Sequence, residues 1–167
     1  MTEAELRRAV HKDFPKASPA VAINPTEKTT ILSLTANGLL PDTGAAHISY
    51  ILGYQSKRLI QVNVVWVSSA TGAGDAEVVG SANTLRDYFA ARKFKPQSVV
   101  RNQALNDGAI LVFRGSDEAG HMVVLVLNGS AAAARRGKKP PSPLTLELSY
   151  IADNAHPDVF RIRKGQF

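Results

Sequence analysis

The chain contains no cysteine, and this absence removes several classes of chemistry from its 167 residues. Disulfide bonds, zinc sites with thiolate ligands and thiol nucleophiles are all excluded. Long hydrophobic runs are also absent, because the longest, Met122 to Leu127, is far shorter than the roughly 20 residues of a membrane-spanning helix. We therefore predict a soluble protein without a transmembrane segment, and no motif in the chain predicts a cofactor.

Positive charge is concentrated in one segment of the chain. The formal net charge is +6, and four cations close together, Arg135, Arg136, Lys138 and Lys139, leave only +2 for the other residues. They lie within Ser130 to Pro143, a segment of small residues, cations and prolines that predicts a mobile basic loop at 130–143. Such a loop would suit an anionic surface or a nucleic acid. Because no aromatic residues are interleaved with the cations to stack on bases, a nucleic-acid partner is not the favoured interpretation.

The stretch from His47 to Val67 has the pattern of a β-hairpin. Two runs rich in Ile, Val, Leu and Tyr are separated by the polar segment Gly53 to Arg58. In the second run, apolar residues alternate with the polar Gln61 and Asn63. This period of two predicts antiparallel strands that bury one face and expose the other.

Two helices and several further strands are predicted around this hairpin. Thr2 and Glu5 have the spacing of a capping box, which begins a helix that must end before Pro15. A second helix is predicted from about Ala76 to Lys93 with Asp75 as its N-cap. Period-two patterns joined by short turns fill the rest of the chain. The sequence thus predicts one α+β domain over residues 1–167, with an antiparallel sheet of about seven or eight strands and two helices packed on one face.

Two short sequence echoes point to an internal duplication. Asp13-Phe14-Pro15-Lys16 and Lys93-Phe94-Lys95-Pro96 each follow a predicted helix and precede a strand, and Ser49-Tyr50-Ile51 recurs as Ser149-Tyr150-Ile151. In the order of its elements alone, the chain resembles the duplicated helix-plus-sheet architecture of the β-lactamase inhibitory protein. The resemblance implies a tandem repeat with halves 1–74 and 75–167. The alternative is that the echoes arose by chance.

Few residues are candidates for catalysis or metal binding. The histidines do not occur at the spacing that a helix would turn into a metal pair, so no metal site is predicted. No Gly-x-Ser-x-Gly motif occurs, and Gly72-Ala73-Gly74 lacks the lysine and hydroxyl residue of a phosphate-binding loop. No catalytic residue is assigned. A small hydrolase-like enzyme built on His47 remains the alternative function.

The favoured function is a non-catalytic binding or protein-interaction module. Alternation along the strands places a set of polar side chains opposite the aromatic ones. This polar set consists of His47, Gln61, Asn63 and Glu147. If the strands belong to one sheet, we expect these side chains to form a binding surface for a protein or a small ligand. The alternative is a sheet face in contact with water alone.

The composition favours a bacterial protein that is exported to the cell envelope over a cytoplasmic one. This expectation rests on the absence of cysteine, the basic pI of about 9.8 and the loops rich in alanine and glycine.

Overall fold

The computed structural model of the protein describes residues 1–69, 73–129 and 143–161. Over these residues it contains two α-helices, a short 3₁₀ helix over Pro96–Ser98 and one eight-stranded antiparallel sheet, so the predicted α+β class is confirmed. The α-helices are α1 (Glu3–Asp13) and α2 (Asp75–Ala90). The strands are β1 (Ala20–Ile23), β2 (Thr30–Asn37), β3 (Ala45–Leu52), β4 (Leu59–Val67), β5 (Val100–Ala104), β6 (Ile110–Ser116), β7 (Met122–Asn128) and β8 (Thr145–Ile151).

The sheet has the strand order β1-β2-β3-β4-β8-β7-β6-β5. Each helix is followed in sequence by four strands, and the last strands of the two sets, β4 and β8, pair with each other at the centre of the sheet. The echo Asp13 to Lys16 begins at the last residue of α1, and the echo Lys93 to Pro96 lies just after α2. A repeat origin for the two halves remains a prediction.

Helix α1 begins and ends where the sequence predicts. The backbone N–H of Thr2 donates to the Glu5 carboxylate at 2.7 Å, and the backbone N–H of Glu5 donates to the Thr2 hydroxyl at 3.4 Å, which completes the capping box. Leu6 and Val10 are buried in the same core cluster as the apolar residues of the sheet. That both helices pack on one face of the sheet remains a prediction.

Helix α2 differs from its prediction at both ends. Its N-cap is Gly74, and Asp75 is the first helical residue rather than the cap. The helix ends at Ala90 instead of continuing to Lys93. The chain turns away there, and the ring of Phe94 comes to lie 5.4 Å from the ring of Phe113 on β6. Packing of Phe94 therefore overrides the helical pattern of the last residues.

One face of the sheet, which we call the core face, carries the apolar interior. Its central row is formed by register partners on adjacent strands, Leu34, Ile48, Val64, Leu148, Leu125 and Phe113, all of which are buried. Phe89 of α2 stacks on Phe113 at 5.7 Å and contacts the ring of Tyr150 edge-on at 6.1 Å. Helix α2 therefore packs on the core face. No helix among the described residues is long and apolar enough to cross a membrane.

The apolar residues within Val159 to Ile162 predict a last edge strand, but the chain after β8 forms no strand over residues 159–161. This segment instead crosses the turns of two hairpins. The backbone N–H of Phe160 donates to the carbonyl of Glu27 at 2.8 Å, and the N–H of Tyr54 donates to the carbonyl of Asp158 at 2.8 Å. These long-range hydrogen bonds satisfy the backbone without a sheet partner.

Replacing Asp158 by alanine is expected to lower the free energy of unfolding by about 1–2 kcal/mol, because its carboxylate joins two distant segments. It accepts from the backbone N–H groups of Gln55 at 3.0 Å and Ser56 at 2.8 Å. The Ser56 hydroxyl and the Gln55 N–H lower the pKa of Asp158, so its contribution is present above about pH 4 and is lost as the pH falls through the lowered pKa. Urea denaturation at neutral and acid pH measures both effects.

The matched control for this variant is Asp153→Ala. Asp153 also accepts from two backbone N–H groups, those of Ala155 and His156, but both lie within its own exposed turn. A clearly smaller loss is expected there, because these hydrogen bonds are local and exposed. Equal losses for the two variants would show that Asp158 does not hold the segment against the hairpin turns.

Candidate functional site

The four residues predicted to form a binding surface lie on the face opposite the core face, which we call the open face. His47 is on β3, Gln61 and Asn63 are on the adjacent β4, and Glu147 is on β8, which pairs with β4 on its other side. Their positions alternate with core-face residues of the same strands, such as Ile48, so all four point away from the core. His47 is exposed and the other three are partly buried.

The echo Ser49-Tyr50-Ile51 and Ser149-Tyr150-Ile151 is in register on the two sides of β4. Ser49 and Ser149 are both partners of Asn63, and Ile51 and Ile151 are both partners of Gln61. The Gln61 amide donates to the Asn63 side-chain oxygen at 2.7 Å. The centre of the open face is therefore an ordered patch of two serines and two amides, bordered by isoleucines.

His47 and Glu147 share a row of this face but are not neighbours. Each is a register partner of Val65, so two strand spacings, about 10 Å, separate their backbones. Over this span the imidazole and the carboxylate do not form a catalytic pair in this structure. His47 lies beside Thr35 on its other side. Among the described residues, the register partners of His47 are thus a hydroxyl residue and a valine, and neither is a carboxylate. The hydrolase-like alternative built on His47 stays a prediction.

The open face also contains aliphatic residues that the predicted polar set omitted. Val65 separates His47 from Glu147, and Val124 and Val126 of β7 pair with Ser149 and Glu147. The signal was present in the sequence, since Met122 to Leu127 is apolar at every position. This pattern predicts an interior strand that is covered on both sides or a strand that meets a partner chain. In the structure β7 is an interior strand, and Val124 and Val126 keep partial exposure.

A second candidate site, which the sequence did not predict, is a cavity of about 360 Å³. It lies where β4 and β7 begin and β8 ends, and its lining is mostly apolar. His121 and Asp117 stand at its rim, with the His121 Nδ1 atom 2.8 Å from the Asp117 carboxylate. This hydrogen bond lowers the pKa of Asp117. Gln61 also lines the cavity, but His47, Asn63 and Glu147 do not.

The structure offers no arrangement for metal chemistry over the residues it describes. No group of three His, Asp or Glu side chains within residues 1–69, 73–129 and 143–161 is placed to hold a metal ion. The basic residues Arg135, Arg136, Lys138 and Lys139 lie outside the described residues. Gly72, the first residue of Gly72-Ala73-Gly74, also lies outside them. The anionic-surface interpretation of the basic loop therefore stays a prediction.

Comparison with known proteins gives no relative for this chain: no family model, no curated protein and no solved structure matches it. The resemblance to the β-lactamase inhibitory protein thus rests on the order of elements alone. The function must be inferred from the geometry of the two sites.

Proposed function

We propose that the protein is a non-catalytic binding module that recognises a partner protein with the open face of its sheet. The observation that carries this proposal is the partial exposure of Val124 and Val126 on an interior strand. An interior strand that faced only water would be expected to carry polar residues on that side. Exposed valines in the middle of a sheet face are typical of a surface that is covered by a partner.

The chemistry of the surrounding residues supports a protein partner. Val124 and Val126 pair with Ser149 and Glu147 of β8. The amides of Asn63 and Gln61 lie one strand further, on β4, and offer both donors and acceptors. A group of aliphatic residues with hydrogen-bonding neighbours and few charges resembles the composition of protein interfaces. Besides His47 and Glu147 of the predicted set, the exposed Arg114 of β6 pairs with Val124, so charge would contribute to selectivity together with shape and hydrogen bonding.

The size of the face is also consistent with a protein interface. The five adjacent strands β3, β4, β8, β7 and β6 are together about 24 Å wide. A strand of seven residues, such as β7, is about 22 Å long. The resulting area is on the order of 500 Å² on this side and about 1,000 Å² over both partners, which suits a transient interface. We therefore expect a partner of moderate affinity rather than an obligate subunit.

Replacing Val126 by arginine is expected to reduce binding of the partner about tenfold or more, because a charge would then have to be desolvated at the centre of the contact. Val79 provides a matched control, since this valine is 39% exposed on α2 and the same change there adds the same charge. The protein and both variants would be immobilised, and proteins retained from extracts would be quantified after thermal unfolding confirms that each variant is folded.

Two outcomes decide the proposal. Selective loss of a retained protein with Val126→Arg, and not with Val79→Arg, would support the open face as the binding surface. Equal retention by all three proteins, or an equal loss with both variants, would contradict it. A triple change of Gln61, Asn63 and Glu147 to alanine then measures how much the predicted polar residues contribute.

A further inference from the structure

The cavity at the ends of β4, β7 and β8 adjoins the centre of the open face, with which it shares Gln61 and Ile151. Its volume of about 360 Å³ lies within the range of small-molecule binding sites. The apolar lining includes Leu59, Val62, Phe94, Met122, Val123 and Tyr150. Three strand ends and the chain after α2 supply these residues, so the cavity depends on the complete fold.

The rim of the cavity carries a histidine, His121, whose orientation is fixed by Asp117. Asp117 accepts from the backbone N–H of His121 at 2.9 Å with one carboxylate oxygen and contacts His121 Nδ1 at 2.8 Å with the other. The turn is closed by the backbone N–H of Asp117, which donates to the carbonyl of His121 at 2.9 Å. Asp117 therefore holds the backbone of the turn with one carboxylate oxygen and orients the ring with the other.

This contact also decides which hydrogen bond the ring offers to a ligand. An ionised carboxylate can only accept, so Nδ1 of His121 must carry the proton that is shared with Asp117. In the neutral imidazole, Nε2 then has a free lone pair and acts as an acceptor. A ligand that completes this rim must present a hydroxyl or an N–H donor.

We propose that this cavity binds a small amphiphile, with an apolar body against Val62, Val123 and Phe94 and a hydroxyl or N–H group that donates to Nε2 of His121. The apolar lining selects the body by excluding water, and the histidine selects the head by its tautomer. When the ring is neutral, its free lone pair and the neighbouring charge of Asp117 both disfavour carboxylates and other groups that only accept hydrogen bonds.

A pair of isomers tests both parts of the proposal. 1-Octanol carries a hydroxyl donor, whereas heptyl methyl ether has the same atoms and can only accept. Each would be titrated into the isotope-labelled full chain at about pH 8.5, at which histidine side chains are neutral, and followed by the NMR signals of Val62, Val123 and His121. We expect 1-octanol to bind about fivefold more tightly than the ether, the usual effect of one hydrogen bond.

Variants separate the head site from the apolar body. His121→Ala should remove the preference for 1-octanol while the ether still binds. His156→Ala is the matched control, because His156 contacts Asp153 at 3.4 Å in an exposed turn and does not line the cavity. Asp117→Asn lets the new amide donate to Nδ1, so that Nε2 carries the proton and the preference for the alcohol should disappear or reverse.

Several results would overturn the proposal. The first is the absence of signal changes at Val62 and Val123 with either isomer, which would show that the cavity does not take up an apolar body. The second is equal binding of the two isomers to the unmodified protein. The third is a preference for 1-octanol that survives His121→Ala. His121 is largely exposed, so His121→Ala is expected to fold. This variant therefore keeps the test decisive even if a cavity-filling change such as Val123→Phe prevents folding.

Discussion

Replacing Phe113 by alanine is expected to lower the free energy of unfolding by about 3–5 kcal/mol, the usual loss for a fully buried aromatic residue. Phe113 has no exposed surface, and its ring lies 5.7 Å from that of Phe89 and 5.4 Å from that of Phe94. It thus joins β6 to α2 and to the chain that follows α2. Urea denaturation followed by circular dichroism measures the change. Native domains have a total stability of only about 5–15 kcal/mol, so this loss would remove a large share of it.

Phe160→Ala is the matched control for this prediction. Phe160 is partly buried and contacts Tyr54 edge-on at 5.5 Å, outside the core cluster. A loss of less than half that of Phe113→Ala is expected, because less surface is buried and no closed cavity is left. Equal losses for the two variants would contradict the central position of Phe113 in the packing of α2.

Most of the fold could be predicted from local patterns. The alternation in His47 to Val67 predicted the β3–β4 hairpin, and the capping box with Pro15 predicted both ends of α1. The prediction was wrong where tertiary contacts decide the local structure. Phe94 ends α2 early by packing on Phe113, and hydrogen bonds to the hairpin turns keep residues 159–161 out of the sheet.

The candidate sites were less predictable because they depend on strand neighbourhood. Alternation assigned His47, Asn63 and Glu147 to their faces correctly, but it could not show that β4 pairs with β8. That pairing brings Asn63 beside Ser149 and exposes Val126 next to Glu147. The cavity could not be predicted from the sequence, since residues from three strand ends and Phe94 line it and their proximity is a tertiary property. The sequence showed only that Asp117 and His121 are spaced so that their side chains can meet across a turn.

Replacing Gly129 by alanine is expected to cost roughly 2–5 kcal/mol through two independent effects. The backbone of Gly129 has a φ of +108°, a conformation that residues with a side chain rarely adopt. A Cβ atom at this position would also lie 2.7 Å from the carbonyl oxygen of Pro143 and 2.9 Å from Cα of Leu144. Both contacts are with backbone atoms at the start of β8, so a change of rotamer cannot relieve them.

Gly108→Ala separates the two effects, since Gly108 has a φ of +89° but its added Cβ would meet no atom within 4 Å. In this control the free energy of unfolding should fall only by the cost of the backbone conformation, about 1–2 kcal/mol. The extra loss at Gly129 then measures the close approach between the chain after β7 and the chain before β8. If the two variants lose the same amount in urea denaturation, Pro143 and Leu144 can move away at no cost, and this part of the β7–β8 connection does not constrain the centre of the sheet.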